Sequence, residues 1–319
     1  MASPLFRLTY FPIAHGRGLP LRIAAVLNGV EWEDHLIKKD AFTQLKTSPS
    51  SGYQARWTGL PEATFYNQPN PSTVAQSASI LRYIAQLRSP DTPYNLYPTE
   101  TPFECCRIDE IVDSVEDMLK IIVPVFYEKD AEKKKELEVD LTDNPDKLPL
   151  WLGRYERRLE ENWNSGNRNG FFIGKGVTIA DLKVFSVVCI FHPECRQFFG
   201  LNLDGIRGDL IAEFPRINEH CNRFLWHPAI RAFVVALKGK IAYFTKNEQS
   251  EMTVRYVGGQ EYVNAYVGQK VQCDDGSEGM VTQVTEDKIC IKSIDEIDDK
   301  MMSFRWIERA QVPVGTVFI

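Results

Sequence analysis

The chain has 319 residues, of which 44% are hydrophobic and 25% charged, and its formal net charge is −6 at pH 7. These are ordinary globular proportions, and the length suggests two or three domains with room for a sizeable core. Residues 250–319 hold 7 Lys and Arg against 12 Asp and Glu, and neither this segment nor the rest of the chain is basic. This composition argues against binding nucleic acid through its phosphates.

The first 90 residues predict a β-α-β unit, an irregular segment and a β-β-α unit. Residues 5–11 are rich in β-formers, and the apolar run after Pro20 predicts a helix because Pro fits the first helical turn. The other predicted elements are a strand at 30–37, a loop at 47–59, short strands at 63–66 and 73–75, and a helix at 77–87.

Residues 103–245 predict an all-helical region. Apolar residues from Ile108 to Leu119 recur at spacings of three and four, which is typical of an amphipathic helix. Residues 178–191 are apolar on most faces and predict a central buried helix. Thr178 and Asp181 stand at capping-box spacing before it, so we interpret them as folding determinants rather than catalytic residues.

The hydrophobic period changes after a predicted polar linker at 246–253. From Val254 onward, apolar and polar residues alternate in short runs separated by turn sequences. This pattern predicts a small sheet or barrel. We interpret its aromatic residues as a small core, and an aromatic cage or a peptide-binding groove is the alternative.

Several classes of protein are disfavoured by the remaining sequence signals. The seven cysteines match no disulfide or zinc spacing, which indicates reduced thiols, and the five histidines form no metal-ligand set. The first residues lack the pattern of a signal peptide, and no apolar run reaches the roughly 18 residues of a membrane span. We therefore expect a cytoplasmic protein that contacts neither membrane nor nucleic acid.

Four motifs, in this order, resemble those of the cytosolic glutathione S-transferases. They are Leu8-Thr9-Tyr10-Phe11 with Gly16-Arg17-Gly18 and Pro20-Leu21-Arg22, then Gln76-Ser77, then Thr178-Ile179-Ala180-Asp181, and then Phe214-Pro215-Arg216-Ile217 with His227-Pro228. The resemblance covers about residues 5–245 and is greatest to the sigma class, which includes haematopoietic prostaglandin D synthases and lens S-crystallins. It implies a thioredoxin-like α/β domain at 1–90 and an all-α domain at 100–245. A small all-β appendage at 254–319, of the SH3- or Tudor-like barrel type, is expected to follow.

The resemblance implies that Tyr10 and Arg17 are catalytic. Glutathione must become a thiolate to attack an electrophile, and a hydroxyl that donates to the sulfur favours the thiolate. Tyr10 stands where the family carries that hydroxyl. Arg17 would face the sulfur and the electrophile pocket, which Ile13 would border. An ordinary strand-end Tyr and an exposed helix cation are the structural alternatives.

The resemblance also implies a set of glutathione-binding residues, which are Phe42, Lys46, Leu60, Pro61, Gln76 and Ser77. Gln76 and Ser77 would hold the γ-glutamyl end, because a hydroxyl and free backbone N–H groups at a helix start suit a carboxylate. A cis Leu60-Pro61 bond would expose a backbone edge to the cysteinyl part. Phe42 and Lys46 would face the glycyl end, although Phe42 cannot donate a hydrogen bond as the family's Trp does.

The expected function is conjugation of glutathione, as co-substrate, to small electrophiles, with prostaglandin isomerisation as a narrower possibility. The segments between Tyr10 and Arg17 and between Lys46 and Gln76 are longer than the family's. These departures favour the alternative of a catalytically weak or inactive scaffold subunit in a larger assembly. The resemblance further implies a homodimer. Asp109, Asp113 and Asp117 form an acidic helix face that we interpret as solvated, with a metal site as the alternative.

Overall fold

The structure is a computed structural model of the chain. It describes residues 4–47, 59–90, 92–199, 201, 203, 205–246 and 250–256, and the strand segments 270–272, 278–284, 288–293 and 304–308. The loop predicted at 47–59 lies almost entirely outside the described residues.

The N-terminal part is a mixed sheet flanked by helices, as the sequence predicts. Its strands are β1 (Phe6–Tyr10), β2 (Trp32–Ile37), β3 (Glu62–Phe65) and β4 (Ser72–Ala75), and its helices are α1 (Leu19–Leu27), α2 (Lys39–Thr47) and α3 (Ser77–Ile84). A 3₁₀ turn at Gly16–Gly18 precedes α1. β1 pairs with β2 in parallel and with β3 antiparallel, so Tyr10 lies at the carboxyl end of a central strand.

The second part is a helical domain. Its elements are α4 (Pro102–Tyr127), α5 (Ala131–Asp143), α6 (Leu148–Asn164), α7 (Ile179–Val188), α8 (Pro193–Phe199), a 3₁₀ turn (Leu210–Glu213), α9 (Pro215–Leu225) and α10 (Pro228–Lys246). Every residue of α7 is buried, which confirms the predicted central helix. Within the described residues, no helix combines the length and hydropathy that crossing a bilayer requires.

The N-terminus of α7 carries the predicted capping box. The Asp181 carboxylate accepts hydrogen bonds from the Thr178 backbone N–H at 2.8 Å and from its hydroxyl at 2.9 Å. The other carboxylate oxygen accepts from the Phe172 backbone N–H at 2.9 Å. Buried helix ends need such partners for their free N–H groups. Thr178 and Asp181 therefore stabilise the fold, as the sequence predicts.

A fifth strand joins the N-terminal sheet from a distant part of the sequence. β5 (Glu251–Tyr256) pairs antiparallel with β2, giving the strand order β4-β3-β1-β2-β5. This corrects two predictions, because part of the predicted linker is strand and residues 254–256 belong to the first sheet. The physical reason is that β2 would otherwise leave a row of unpaired backbone groups at the sheet edge.

The remaining described strands form a second sheet. β6 (Lys270–Gln272), β7 (Glu278–Val284), β8 (Lys288–Ser293) and β9 (Phe304–Glu308) pair antiparallel in the order β6-β7-β8-β9. The all-β appendage and its closure into an SH3- or Tudor-like barrel stay predictions. Apart from residues 254–256, which pair with β2, the boundaries of the three predicted domains also stay predictions.

Candidate functional site

Tyr10 lies at the end of β1 in a tight cradle that is formed by Gly16, Arg17 and Gly18. Its side chain is 5% exposed, and the backbone N–H groups of Arg17 and Gly18 face its phenolic oxygen. Burial raises the pKa of Tyr10 above its ordinary value, and the charges of Arg22 and Arg17 and the two N–H groups act in the opposite direction. The phenol is therefore protonated at neutral pH. A protonated phenol keeps its O–H hydrogen and can donate it to an anion.

A fully buried cation lies beneath this tyrosine. The Arg22 guanidinium is 5.5 Å from the centroid of the Tyr10 ring and forms a two-pronged ion pair with Asp34, at 2.8 and 3.1 Å. A third Arg22 nitrogen donates to the Ile13 carbonyl oxygen at 2.8 Å. Arg22 thus joins α1, β2 and the segment after β1, and it fixes the backbone that holds the tyrosine.

The cradle leaves no room for a side chain at Gly18. A Cβ atom there would lie 2.4 Å from Cδ1 of the Tyr10 ring, and one at Gly16, whose φ is +71°, would lie 3.2 Å from the Tyr10 hydroxyl. A separation of 2.4 Å between two carbons is far inside their contact distance. The two glycines therefore determine where the phenol can lie.

We predict that Gly18→Ala lowers the free energy of unfolding by about 1–3 kcal/mol, because the ring or the turn must move. Gly239→Ala is the matched control: it lies on an exposed part of α10, and no atom lies within 4 Å of its added Cβ. The control should be neutral or stabilising by up to about 1 kcal/mol, since Ala favours helix over Gly. Thermal denaturation of both variants is the measurement. Equal melting temperatures would show that the cradle tolerates the methyl group.

The two predicted residues of α2 lie together near Tyr10. Phe42 is buried and packs edge-on against Phe11 at 6.0 Å between ring centroids. Lys46 is exposed, and its ammonium lies 5.4 Å from the centre of the Phe42 ring. Phe11 directly follows Tyr10, so α2 is anchored beside the candidate catalytic residue. Lys46 is thus exposed to solvent at this side of the site.

The remaining residues predicted to bind glutathione lie at the starts of β3 and α3. The Leu60-Pro61 peptide bond is cis, as the resemblance implies, and directly precedes β3. Gln76 is the residue before α3 and has φ +77°, a left-handed backbone conformation that costs a non-glycine residue about 1–3 kcal/mol. Its side chain is exposed, whereas the adjacent Ser77 is buried. Strain of this kind is concentrated at functional sites.

Ser77 belongs to a polar network that the sequence did not reveal. The Lys183 ammonium donates to Ser77 Oγ at 3.0 Å and to Glu116 Oε1 at 2.8 Å. Arg17 donates to the other carboxylate oxygen, Oε2, at 2.9 and 3.3 Å. The network joins the turn before α1, the start of α3, α4 and α7. Arg17 is therefore held toward α4 by an ion pair.

The charges of this network perturb one another. Burial disfavours ionisation of Glu116, but the charge and hydrogen bond of Lys183 and the hydrogen bonds of Arg17 outweigh it and lower the pKa of Glu116 to about 2. Burial lowers the pKa of Lys183, and the Glu116 carboxylate opposes that effect. Glu116 is thus ionised at neutral pH, in contact with two cations.

The acidic face of α4 is occupied by ion pairs. Arg82, on α3, pairs with Asp109 at 2.6 Å and with Asp113 at 2.9 Å, and Asp117 pairs with Lys120 at 2.7 Å. Within the described residues, no cluster of three or more His, Cys, Asp or Glu side chains could hold a metal ion. The metal alternative gains no support from these contacts.

Sequence reasoning missed Arg22, Asp34, Glu116 and Lys183 as members of the site. Glu116 is outside the series of aspartates spaced by four that includes Asp113 and Asp117, so the sequence pattern did not single it out. Lys183 stands in a run that is otherwise apolar. A single lysine in a predicted buried helix was itself a signal, because a buried ammonium requires a nearby anion.

Known proteins share sequence and fold with this chain. Residues 116–236 match the family described as glutathione S-transferase, C-terminal domain. A glutathione S-transferase of Dirofilaria immitis is 28% identical over 219 residues, 68% of this chain and 91% of that protein. Hematopoietic prostaglandin D synthase of Gallus gallus is 25% identical over 236 residues, 72% of this chain and 96% of that protein.

Solved structures agree with this fold. The structure of prostaglandin synthase D of Nilaparvata lugens superposes with a TM-score of 0.53 at 21% sequence identity, covering 73% of this chain and 98% of the other. Similarity at this level shows the fold and nothing finer. Together, the matches confirm the resemblance inferred from the sequence motifs.

Proposed function

Since this chain is related to the glutathione S-transferases and carries their C-terminal domain at residues 116–236, we propose that it conjugates glutathione to small electrophiles. In this proposal Tyr10 donates its hydroxyl hydrogen to the sulfur and stabilises the thiolate. The bond that forms joins sulfur to the electrophilic carbon, and the leaving group departs with its electron pair. The thiol proton passes to solvent when the thiolate forms.

The observation that carries this proposal is the geometry around the Tyr10 hydroxyl. The ring is enclosed by Gly16 and Gly18, and burial raises the pKa of the phenol, so the hydroxyl keeps its hydrogen and can donate it to an anion. A hydrogen bond donated to a charged acceptor is roughly twice as strong as one between neutral groups. A thiolate at this point would therefore be favoured over the thiol.

The peptide is proposed to lie across the starts of β3 and α3 and along α2. The Leu60 backbone would pair with the cysteinyl part, and Gln76 and Ser77 would bind the γ-glutamyl end. Lys46 would pair with the glycyl carboxylate, with Phe42 packing beneath it. The electrophile would be bordered by Ile13.

Titration calorimetry with glutathione tests the proposal directly. We expect saturable binding below millimolar concentration, together with turnover of a chromogenic aryl halide. S-Methylglutathione is the control ligand, because it keeps all the peptide contacts and lacks the reactive thiol. It should bind without being consumed. If neither peptide gives a heat of binding at millimolar concentration, the enzyme proposal is wrong.

A scaffold subunit is the second candidate. It is favoured by the four-stranded sheet of β6–β9, which lies beyond the matched domain. In that case the protein would bind a macromolecular partner and show no glutathione turnover, and the same titration separates the two candidates. A homodimer, membership of a larger assembly and a cytoplasmic location stay predictions.

A further inference from the structure

Lys183 is placed where a lysine is energetically costly. Its side chain is 1% exposed and lies on α7, which is buried on all sides. Among the described residues, Lys183 is the buried lysine and Arg22 the buried arginine. Removing an ammonium from water costs several kcal/mol unless close partners compensate for it. An apolar residue at position 183 would avoid that cost, so the charge calls for a reason beyond packing.

The partners of Lys183 do not fully neutralise it. Glu116 is the carboxylate in hydrogen-bond contact with Lys183, and Glu116 is shared with Arg17, so two cations share one negative charge. Arg82, the next cation acting on Lys183, is itself paired with the α4 aspartates. A second anion would therefore find favourable electrostatics here. Glu116 and Arg17 are 34% and 37% exposed, so the network is open to solvent on that side.

The hydrogen-bond roles in the network leave one donor, the Ser77 hydroxyl, with only a long hydrogen bond. An ammonium can only donate, so Lys183 occupies an acceptor position of Ser77 Oγ and the hydroxyl hydrogen must point elsewhere. Its acceptor is Glu116 Oε1 at 3.4 Å, which is longer than the 2.5–3.0 Å usual for such a bond. The hydroxyl hydrogen at the start of α3 is thus oriented by Lys183 and only weakly used within the protein.

We propose that Lys183 is a positioning residue for a ligand carboxylate at the start of α3. It directs the Ser77 hydroxyl hydrogen toward that carboxylate and supplies positive charge beneath it. This inference rests on the proposed function, in which the carboxylate is the α-carboxylate at the γ-glutamyl end of glutathione. Lys183 itself does not touch the ligand; it acts through Ser77 and through its charge.

The test compares two peptides on the full chain by calorimetry. One is glutathione, and the other is glutathione whose γ-glutamyl α-carboxylate is converted to the neutral amide. Lys183→Met should weaken binding of glutathione about tenfold, which corresponds to roughly 1.4 kcal/mol, and binding of the amide by twofold or less. A residue that merely held the fold together would weaken both peptides alike.

Removal of one member of a buried pair can unfold a protein, so a second variant is included. Lys183→Gln keeps an N–H donor for Ser77 but lacks the charge. Its preference for glutathione over the amide should fall, on a logarithmic scale, by about half as much as that of Lys183→Met. Ser77→Ala, made in the unaltered chain and in the Lys183 variant, completes a double-mutant cycle. If Lys183 acts through Ser77, the two substitutions together should weaken glutathione binding by less than the sum of their separate effects.

Each outcome decides the proposal. A reduced preference for the carboxylate in a folded variant, with non-additivity toward Ser77→Ala, supports it. An unchanged preference in both folded variants overturns it while leaving the proposed function intact. Absence of glutathione binding to the unaltered chain overturns the proposed function and this inference together.

Discussion

Replacing Tyr10 by Phe is expected to lower the rate of glutathione conjugation roughly 10²–10³-fold, the range seen when one donor to a developing anion is removed. The affinity for glutathione should change little, because the proposed peptide contacts lie on α2, β3 and α3. The pKa of the bound thiol should rise. The measurements are the steady-state rate, and the ultraviolet absorbance of the bound thiolate as a function of pH.

The variant will also lose stability, and a control must separate this from catalysis. Without the phenolic oxygen, the backbone N–H groups of Arg17 and Gly18 lose the polar atom that faces them, and loss of a buried polar contact costs about 1–3 kcal/mol. Tyr155→Phe is the matched control: Tyr155 is 3% exposed, and its hydroxyl lies 3.1 Å from Ser114 Oγ in the helical domain. It should lose stability without losing rate. An unchanged rate in Tyr10→Phe would remove Tyr10 from the mechanism.

The parts of the fold that follow from local sequence could be predicted. β1, α1 and β2 are each marked by their own composition, and the capping box at Thr178 and Asp181 lies within four residues. The same holds for the start of α3, where a serine precedes an apolar-periodic run. In each case, the residues that determine the structure are neighbours in the chain. The functions assigned to Tyr10, Gln76 and Ser77 came from the resemblance and stay predictions.

The polar network could not be predicted, because its members are distant in sequence. Lys183 and Glu116 are 67 residues apart, and Ser77 and Lys183 are 106 residues apart. Periodicity indicates which face of α4 or α7 is buried but not which residues of the two helices meet. The same limit applies to Arg22, whose partner Asp34 lies on a neighbouring strand. Long-range pairing of this kind emerges only once the helices are packed.

β5 is the clearest case of a contact between distant segments. Its alternating pattern was visible in the sequence, but its pairing partner was not, since His35 and Glu251 are 216 residues apart. The strand buries Tyr256, which is 3% exposed, and stacks its ring on Trp32 at 4.7 Å between centroids. The same ring meets Phe233 of α10 at 5.3 Å. β5 therefore covers an aromatic cluster shared by the sheet and the helical domain.

Two truncations should accordingly behave differently. A chain that ends at residue 256 keeps β5 and should melt close to the full-length protein, whereas a chain that ends at residue 246 should lose about 3 kcal/mol or more of unfolding free energy. The loss has two sources: Trp32 and Phe233 lose the ring that covers them, and β2 becomes an exposed edge. An exposed edge strand also promotes association between copies. The shorter chain should therefore show concentration-dependent light scattering.

A pair of point variants isolates the aromatic contribution from the strand pairing. Tyr256→Ala should lose about 3 kcal/mol, the lower end for removing a large buried ring. Tyr243→Ala, at a tyrosine that is 59% exposed on α10, is the matched control and should change stability by less than about 1 kcal/mol. Thermal denaturation of the two variants and the two truncations gives four comparable values. If both truncated chains melt at the same temperature, β5 does not stabilise the sheet edge. Equal losses would assign the stabilisation to residues beyond 256, and no loss in either chain would show that neither segment contributes.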